Sequence, residues 1–492
     1  MNLLKKWIKT KNEEFSIPKN TKISEKLSIN VTFIYEIFSQ TPDLVVRHFK
    51  ISGDQQDATL VYLESLSDID IIHNHILTPL LCGEGTIDNL NSFVSVGRVQ
   101  QLNDWSIIQD SILQGNSILF IEGSHYVLLF GTQGGPKRTI EESHIEASLK
   151  SGHESFVESK NDNIALIRSY IQNSNLKIKE IIVGNRGKNK VSILYLRDLA
   201  CTEVLKKLET RIQQVKADYI LNAGELKELI EDDSYSPFPQ FISTERPDTV
   251  ASYIFRGHFA ILVDKSPSVL IAPVSFTSFF QNIDDYSIGL ITSNFIRFLR
   301  YFAFFVAISL PAIYISLVSF NYEMIPLQLL LTIGKYRADV PFPPLIEALI
   351  MEISLEMLRE SAIRLPAAIG QTVGVVGAIV IGQAAVQAGI VSNMMIIIVA
   401  STAIASFIIP NYDMGSAIRL IRFPMMLLAS LFGIVGIVIG LMTLIGHLLS
   451  LESLGIPYSQ ASNSFKINYY KDSIFRFHLK ELRKHSKRSK IK

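Results

Sequence analysis

The sequence predicts an α/β cytoplasmic domain of two subdomains followed by an all-α polytopic membrane domain. Three observations carry that prediction. Over residues 27–294 short β-branched or aromatic runs alternate with amphipathic stretches, the pattern of an α/β protein. Beyond Arg300 the charges thin out. Residues 301–320 and 371–410 have none, and between Gln371 and Gly446 only Asp413, Arg419 and Arg422 are charged. Runs of that length without a charge read as membrane spans. The third observation is charge segregation. The 492 residues sum to a formal net charge of +1, but residues 1–26 carry +4 and residues 463–492 carry +8, so the middle carries −11.

Composition removes other classes. Charged residues make up 19%, against roughly 25% in soluble chains. Apolar residues reach 48% and mean hydropathy is +0.26, which excludes a disordered chain. Cys82 and Cys201 are the only cysteines, so a disulfide scaffold is excluded. Met1–Lys11 has lysines without an apolar run after them, so a secreted protein is not expected.

Residues 1–26 read as a basic, weakly structured arm. The first subdomain is placed at 27–163. Ala58–Leu63 reads as a strand, Asp68–Leu81 has helical spacing, and Ser117–Ile121 and Tyr126–Phe130 form a hairpin around Glu122-Gly123-Ser124. The polar stretch Gly131–Asn163 closes it. The second subdomain is placed at 164–296. Strands Ile178–Val183 and Val191–Leu196 are joined by Gly184-Asn185-Arg186-Gly187. Leu199–Val215 is an amphipathic helix, and Pro247-Asp248 opens another through Phe255. Phe259–Asp264 and Val269–Ala272 pair across Lys265-Ser266-Pro267. Neither half shows a clear internal sequence repeat.

The membrane domain is placed at 297–450 and a basic tail at 451–492. Arg297 and Arg300 flank the first apolar run, Tyr301–Phe320. At about 1.5 Å per residue it matches the roughly 30 Å of a bilayer core. Thr372–Val391, Met394–Ile409 and Phe423–Gly446 are three further candidates, the last with Pro424 in its first turn. Met324–Ile333 is too short to span and reads as interfacial or re-entrant. Pro343–Pro366 is helical but carries Glu347, Glu352, Glu356, Arg359, Glu360 and Arg364. The basic tail argues for a cytoplasmic C-terminus, and the α/β domain should lie on the same side. Four crossings are expected, six if both irregular segments insert.

Chemistry-bearing motifs are few. Gly184 to Asn189 has the wrong spacing for a P-loop and reads as a hairpin turn. His73 and His75 fall on different helix faces and have no cysteine or HExxH companion. No G-x-S-x-G occurs. The tail next to a span reads as an orientation signal and a site for anionic lipid rather than nucleic acid. No cofactor or metal is expected, and no enzymatic activity.

The acidic helix says more. Glu352, Glu356 and Glu360 recur every four residues and share one face. They form either the solvated face of a surface helix or the wall of a water-filled interior. Ionisable groups at membrane depth are costly and mark ion or substrate paths. One carboxylate per subunit in a ring would favour cations, so the second reading requires an oligomer. Gln383 and Gln387 would bond across helices or line the same path. Gly370 and Gly374, with Gly377, and Gly436 and Gly440, with Gly433, are small-xxx-small patterns of close helix packing.

An ordered set of short motifs then carries a likeness. It comprises Thr244-Glu245-Arg246-Pro247-Asp248, Asp264-Lys265-Ser266-Pro267 and Asp284-Asp285-Tyr286. It continues with Pro341-Phe342-Pro343, Glu347, Leu358-Arg359-Glu360, Arg364-Leu365-Pro366, Ile381 to Val386 and Ile409-Pro410-Asn411-Tyr412. From about Ser24 to Leu449 the chain resembles the GerA family of spore germinant-receptor A subunits. It departs from the family pattern at Lys150–Phe156 and at Lys265, where glycine is usual.

The resemblance implies a non-enzymatic receptor subunit in the inner membrane of dormant Bacillus- or Clostridium-type spores. It implies a transporter-like, germinant-binding B subunit and a lipoprotein C subunit as partners. It also implies a homo-oligomer of A subunits that forms or gates a channel for monovalent cations before dipicolinic acid is released. Two alternatives stay open: an accessory A-subunit-like protein of the dipicolinate-release machinery, and a secondary transporter, which would need inverted repeats.

Overall fold

The computed structural model describes residues 22–53, 55–82, 94–134, 152, 154–459 and 472–478. Most of the basic arm, most of the stretch between the subdomains and the end of the tail lie outside the described residues. The chain divides into two units. One holds the residues up to Glu231 and Phe241–Pro273; the other holds Asp232–Gln240 and the chain from Val274.

The first unit begins with α1 (Leu27–Ile37), β1 (Leu44–Lys50) and β2 (Asp57–Leu63). A helical run over 69–82, interrupted by a π-helix at Ile72–Leu77 that carries His73 and His75, leads to β3 (Val99–Leu102). Then come α2 (Trp105–Leu113), β4 (Ser117–Ile121) and β5 (Val127–Phe130). The five strands form one antiparallel sheet in the order β1-β2-β4-β5-β3. Two clusters of buried side chains account for the apolar strands. Trp105, Ile108, Ile112 and Phe120 belong to one, and Leu60, Ile72, Ile76 and Phe130 to the other. β2 from Ala58 on, β4 and β5 are therefore buried throughout, and apolar apart from Thr59 and Ser117, rather than alternating.

The second sheet follows α3 (Lys160–Tyr170), whose start lies ahead of the boundary drawn at 163. It is built from β6 (Leu176–Val183), β7 (Asn189–Leu196), β8 (Ile242–Thr244), β9 (Phe259–Val263) and β10 (Val269–Ala272). Helices α4 (Thr202–Gln214) and α5 (Ala223–Ile230) follow β7, and α6 (Pro247–Ile254) follows β8. The order is β6-β7-β9-β10-β8, again antiparallel. Counted from its own first strand, each sheet runs 1-2-4-5-3, with a helix before the first strand and another between the third and fourth. The unit is thus a structural duplication, and the equivalent strands carry a short likeness, Ala58–Leu63 to Val191–Leu196.

Polar contacts join the two sheets. Asp43 accepts both Nε and Nη2 of Arg168 at 2.8 Å and the hydroxyl of Ser65 at 2.6 Å. Lys177 is buried and donates to the Ile37 carbonyl at 3.2 Å. Burial, and then the charges of Arg197 and Arg168, push the Lys177 ammonium down to about 8.

The second unit is helical. It contains α7 (Leu290–Ser319), α8 (Leu327–Arg337), α9 (Pro344–Arg364), α10 (Ala367–Gln387), α11 (Asn393–Phe407) and α12 (Tyr412–Ser450). Among the described residues, α7 and α12 are the helices long and apolar enough to cross a membrane. α8 spans about 16 Å at 1.5 Å per residue, half a bilayer core.

The structure corrects two sequence expectations here. The first apolar helix starts at Leu290, so Arg297 and Arg300 lie inside it and are buried rather than flanking it. The last one is not a single span. Gly433 takes φ +62° and ψ −140°, which breaks α12 into arms 412–432 and 434–450. A Cβ on Gly436 would run into the Leu428 carbonyl, and one on Gly440 into the Met425 sulfur. Residues so far apart in sequence meet only if the arms double back on each other. Pro424 accordingly sits within the first arm rather than in an opening turn. The second arm ends against Asp232–Gln240. His447 Nε2 meets Ser236 Oγ at 2.8 Å, and Ser453 Oγ donates to the Gln240 carbonyl at 2.7 Å. Those contacts explain why that segment belongs to the helical unit.

Candidate functional site

The candidate site is the charged side of α9. The helix is set off by two prolines: Pro343 caps its start and Pro366 precedes α10, both in extended backbone. Four carboxylates follow one another along it, and each has an arginine.

Glu347 is fully buried and accepts from the Ser392 backbone N–H at 2.9 Å, at the cap of α11. Arg337 of α8 lies 3.4 Å from it. Glu352 pairs with Arg422 of the first arm of α12, and both are buried. The second guanidinium edge of Arg422 donates from Nε to the Ala307 carbonyl of α7 at 2.9 Å. Glu356 lies 3.4 Å from Arg419 and 3.7 Å from Arg359. Arg359 stacks over Phe407 at 4.7 Å, which holds its head against α11. Glu360 pairs with Arg364 at 2.6 Å, four residues on, and both are exposed.

Two features define what this arrangement can do. First, four carboxylates face five guanidiniums in these pairs, so the buried part has no net negative field of its own. Second, Glu356 and Glu360 border an open groove of about 560 Å³, with Arg364 beside them and an apolar wall of Ile353, Met357 and Phe423. Of the three glutamates singled out by spacing, Glu352 is therefore locked inside while Glu356 and Glu360 reach a surface.

The other singled-out residues fall elsewhere. Gln383 and Gln387 are exposed on α10 and take no part in the ion pairs. A Cβ on Gly370 would lie 2.5 Å from the Ala362 carbonyl, and one on Gly377 2.9 Å from Leu358 Cδ2, so both mark the approach of α10 to α9. Gly374 has open space where a Cβ would sit. Gly436 and Gly440 face the other arm of α12.

Sequence reasoning missed the arginines' role. Arg419 and Arg422 stood out as lone charges in an apolar stretch, and that was the signal: a buried guanidinium needs a carboxylate. It also missed a second cluster at the start of α7. Asp285 Oδ2 accepts Arg297 Nε at 3.0 Å and Arg300 Nη1 at 2.8 Å. Arg297 Nη1 donates to Asp472 Oδ1 at 3.0 Å, and the Tyr286 hydroxyl donates to Asp472 Oδ2 at 2.5 Å. Arg476 Nη1 donates to the Asp285 and Ile288 carbonyls at 2.5 and 2.8 Å. The segment 472–478 is thus clasped to the base of α7.

Comparison with known proteins places these features. Residues 32–488 match the family model described as Bacillus/Clostridium GerA spore germination protein. The chain is 38% identical over 463 residues to spore germination protein KA of Bacillus subtilis (strain 168), covering 92% of this chain and 85% of that protein. It is 36% identical over 461 residues to spore germination protein A1 of the same organism, covering 94% and 95%. Membrane protein YfkQ, also from Bacillus subtilis (strain 168), is 41% identical over 459 residues, covering 92% and 89%. One similar solved structure is the N-terminal domain of the A subunit of the Bacillus megaterium spore germinant receptor GerK3. It has 30% sequence identity and a TM-score of 0.41, and covers 52% of this chain and 98% of that one.

Proposed function

The chain belongs to the Bacillus/Clostridium GerA spore germination protein family, and on that premise we propose that it is the A subunit of a nutrient receptor in the spore inner membrane. The helical unit lies in the bilayer. The duplicated α/β unit and the basic tail lie on the core side, where ten Lys/Arg after residue 462 satisfy the positive-inside rule. A transporter-like B subunit and a lipoprotein C subunit complete the receptor. Copies of this chain associate to form or gate a cation path, and no catalytic step is involved.

The observation that carries the reading is α9. A helix with four carboxylates is held among apolar helices by the buried Arg422 and the half-buried Arg337, an arrangement costly enough to indicate function at membrane depth. All four carboxylates are paired with arginine, and the two that also border the open groove, and are so offered to a path between copies, are Glu356 and Glu360. A ring of such groups attracts cations.

Reconstitution of the receptor in potassium-loaded liposomes tests this. Nutrient-dependent cation release is expected, reduced at least several-fold by Glu356→Gln. Release unchanged in that variant rejects the residue's role. In spores lacking the chain, loss of the response to one nutrient class fits a receptor subunit, and a general weakening of all responses fits the accessory protein instead.

A further inference from the structure

Three glutamates of α9, Glu352, Glu356 and Glu360, share one face, and the first arm of α12 presents two arginines to it. In the observed register Glu352 meets Arg422 and Glu356 meets Arg419, on antiparallel helices. The glutamates recur every four residues and the arginines are three apart, both close to one helical turn. We infer that α9 can step one turn, about 5.4 Å, against the first arm of α12. Glu356 then takes Arg422 and Glu360 takes Arg419, while Glu347, five residues before Glu352, leaves Arg337 and Met351 comes nearest to its place. Arg422, which is buried, and Arg419, which is half-buried, each have a carboxylate before and after the step, so the movement leaves neither arginine of α12 without one. Packed helices are bistable rather than continuously deformable, and one-turn displacements are an established form of switching.

Three further observations support the step. Among the described residues Glu360 has only the local, exposed partner Arg364 in the observed register, and is the spare carboxylate the shifted register requires. The buried pair is not saturated: Glu352 Oε1 and Arg422 Nη2 have no hydrogen-bond partner among the described residues. The helix is also bounded at both ends, and its buried side chains lie in its first half, up to Glu352. Extended residues at Pro343 and at Leu365-Pro366 bound it, and none of the apolar side chains described on α10 is buried, so α9 and α10 can shift together as a hairpin. The inference stands on this geometry and does not depend on the cation-path reading.

Thermal denaturation of the purified full chain in micelles tests the step through coupling between two distant carboxylates. Glu352 and Glu360 lie about two turns apart and share no partner in the observed register, so a static pair predicts additive effects. With the step available, Glu352→Gln is tolerated because Glu356 replaces it at Arg422. Glu360→Gln alone changes little. The double variant should lose at least twice the sum of the single shifts in Tm, while Glu352→Gln with Arg364→Gln should match Glu352→Gln alone. Additive losses overturn the step. Should Glu352→Gln fail to fold, the chain with Cys82→Ser and Cys201→Ser carries the test. Glu360→Cys with Arg419→Cys should cross-link under oxidation, and Arg364→Cys with Arg419→Cys should not. No cross-link in the first pair, or equal cross-linking in both, overturns it.

Discussion

Arg422 and Glu352 form an ion pair inside the helical unit, with no more than 3% of either side chain exposed. The guanidinium also caps the Ala307 carbonyl, so one residue ties α12 to both α9 and α7. Removing only the cation leaves a buried carboxylate without compensation. Arg422→Met should therefore cost about 3–5 kcal/mol. Adding Glu352→Leu should restore most of it, as read by denaturation of the full chain in micelles.

Gly433 makes the hairpin of α12. Its φ of +62° with ψ of −140° is open to glycine and strained for any other residue, and a Cβ there would lie 3.1 Å from Phe320 and Asn321. Gly433→Ala should lower stability by about 1–3 kcal/mol. Gly446→Ala is the control: nothing lies within 4 Å of its Cβ position, and alanine in an exposed helix should gain about 0.5–1 kcal/mol.

Asp472 holds the tail segment to the base of α7. It accepts from Arg297 and Tyr286, and its carbonyl accepts from Gln281 Nε2 at 2.7 Å. Asp472→Ala leaves Arg297 with Asp285 as its remaining carboxylate. Limited proteolysis should then cut near residues 472–478 at least several-fold faster than in the parent chain. An unchanged cutting rate would show that the clasp contributes little.

Lys177 gives a pH dependence. Its ammonium titrates near 8 in the folded unit against an ordinary value of 10.5. The unfolded chain therefore binds more protons between those values, and the penalty for folding is fully present below pH 8. Lys177→Met should stabilise the chain by about 2–3 kcal/mol at pH 7. The gain should shrink as pH rises from 8 and disappear above about 10.5. Denaturation midpoints measured across that range check both the sign and the window.

Much of the α/β unit was legible because its signals are local. The hairpins at Glu122-Gly123-Ser124 and Lys265-Ser266-Pro267 and the helix opened by Pro247 stand where turn chemistry and proline placed them. The duplication was not legible. Strand order depends on which apolar edges meet, and the likeness of Ala58–Leu63 to Val191–Leu196 is too short to show it by itself. The candidate site was half legible. Spacing singled out Glu352, Glu356 and Glu360, but spacing cannot say which carboxylate an arginine some seventy positions away will claim.

By itself, then, the sequence determined a mixed α/β unit followed by apolar helices, the motif order of its family, and a helix whose glutamates share one face. Those properties follow from local periodicity and composition. Only the tertiary structure decided that Gly433 folds the last apolar stretch back on itself, that Arg297 and Arg300 are buried against Asp285, and that Arg422 neutralises Glu352. The reason is physical. A charge placed among apolar helices must find its counter-charge by packing, and a helix break is realised only where a neighbour such as Phe320 leaves room for glycine alone.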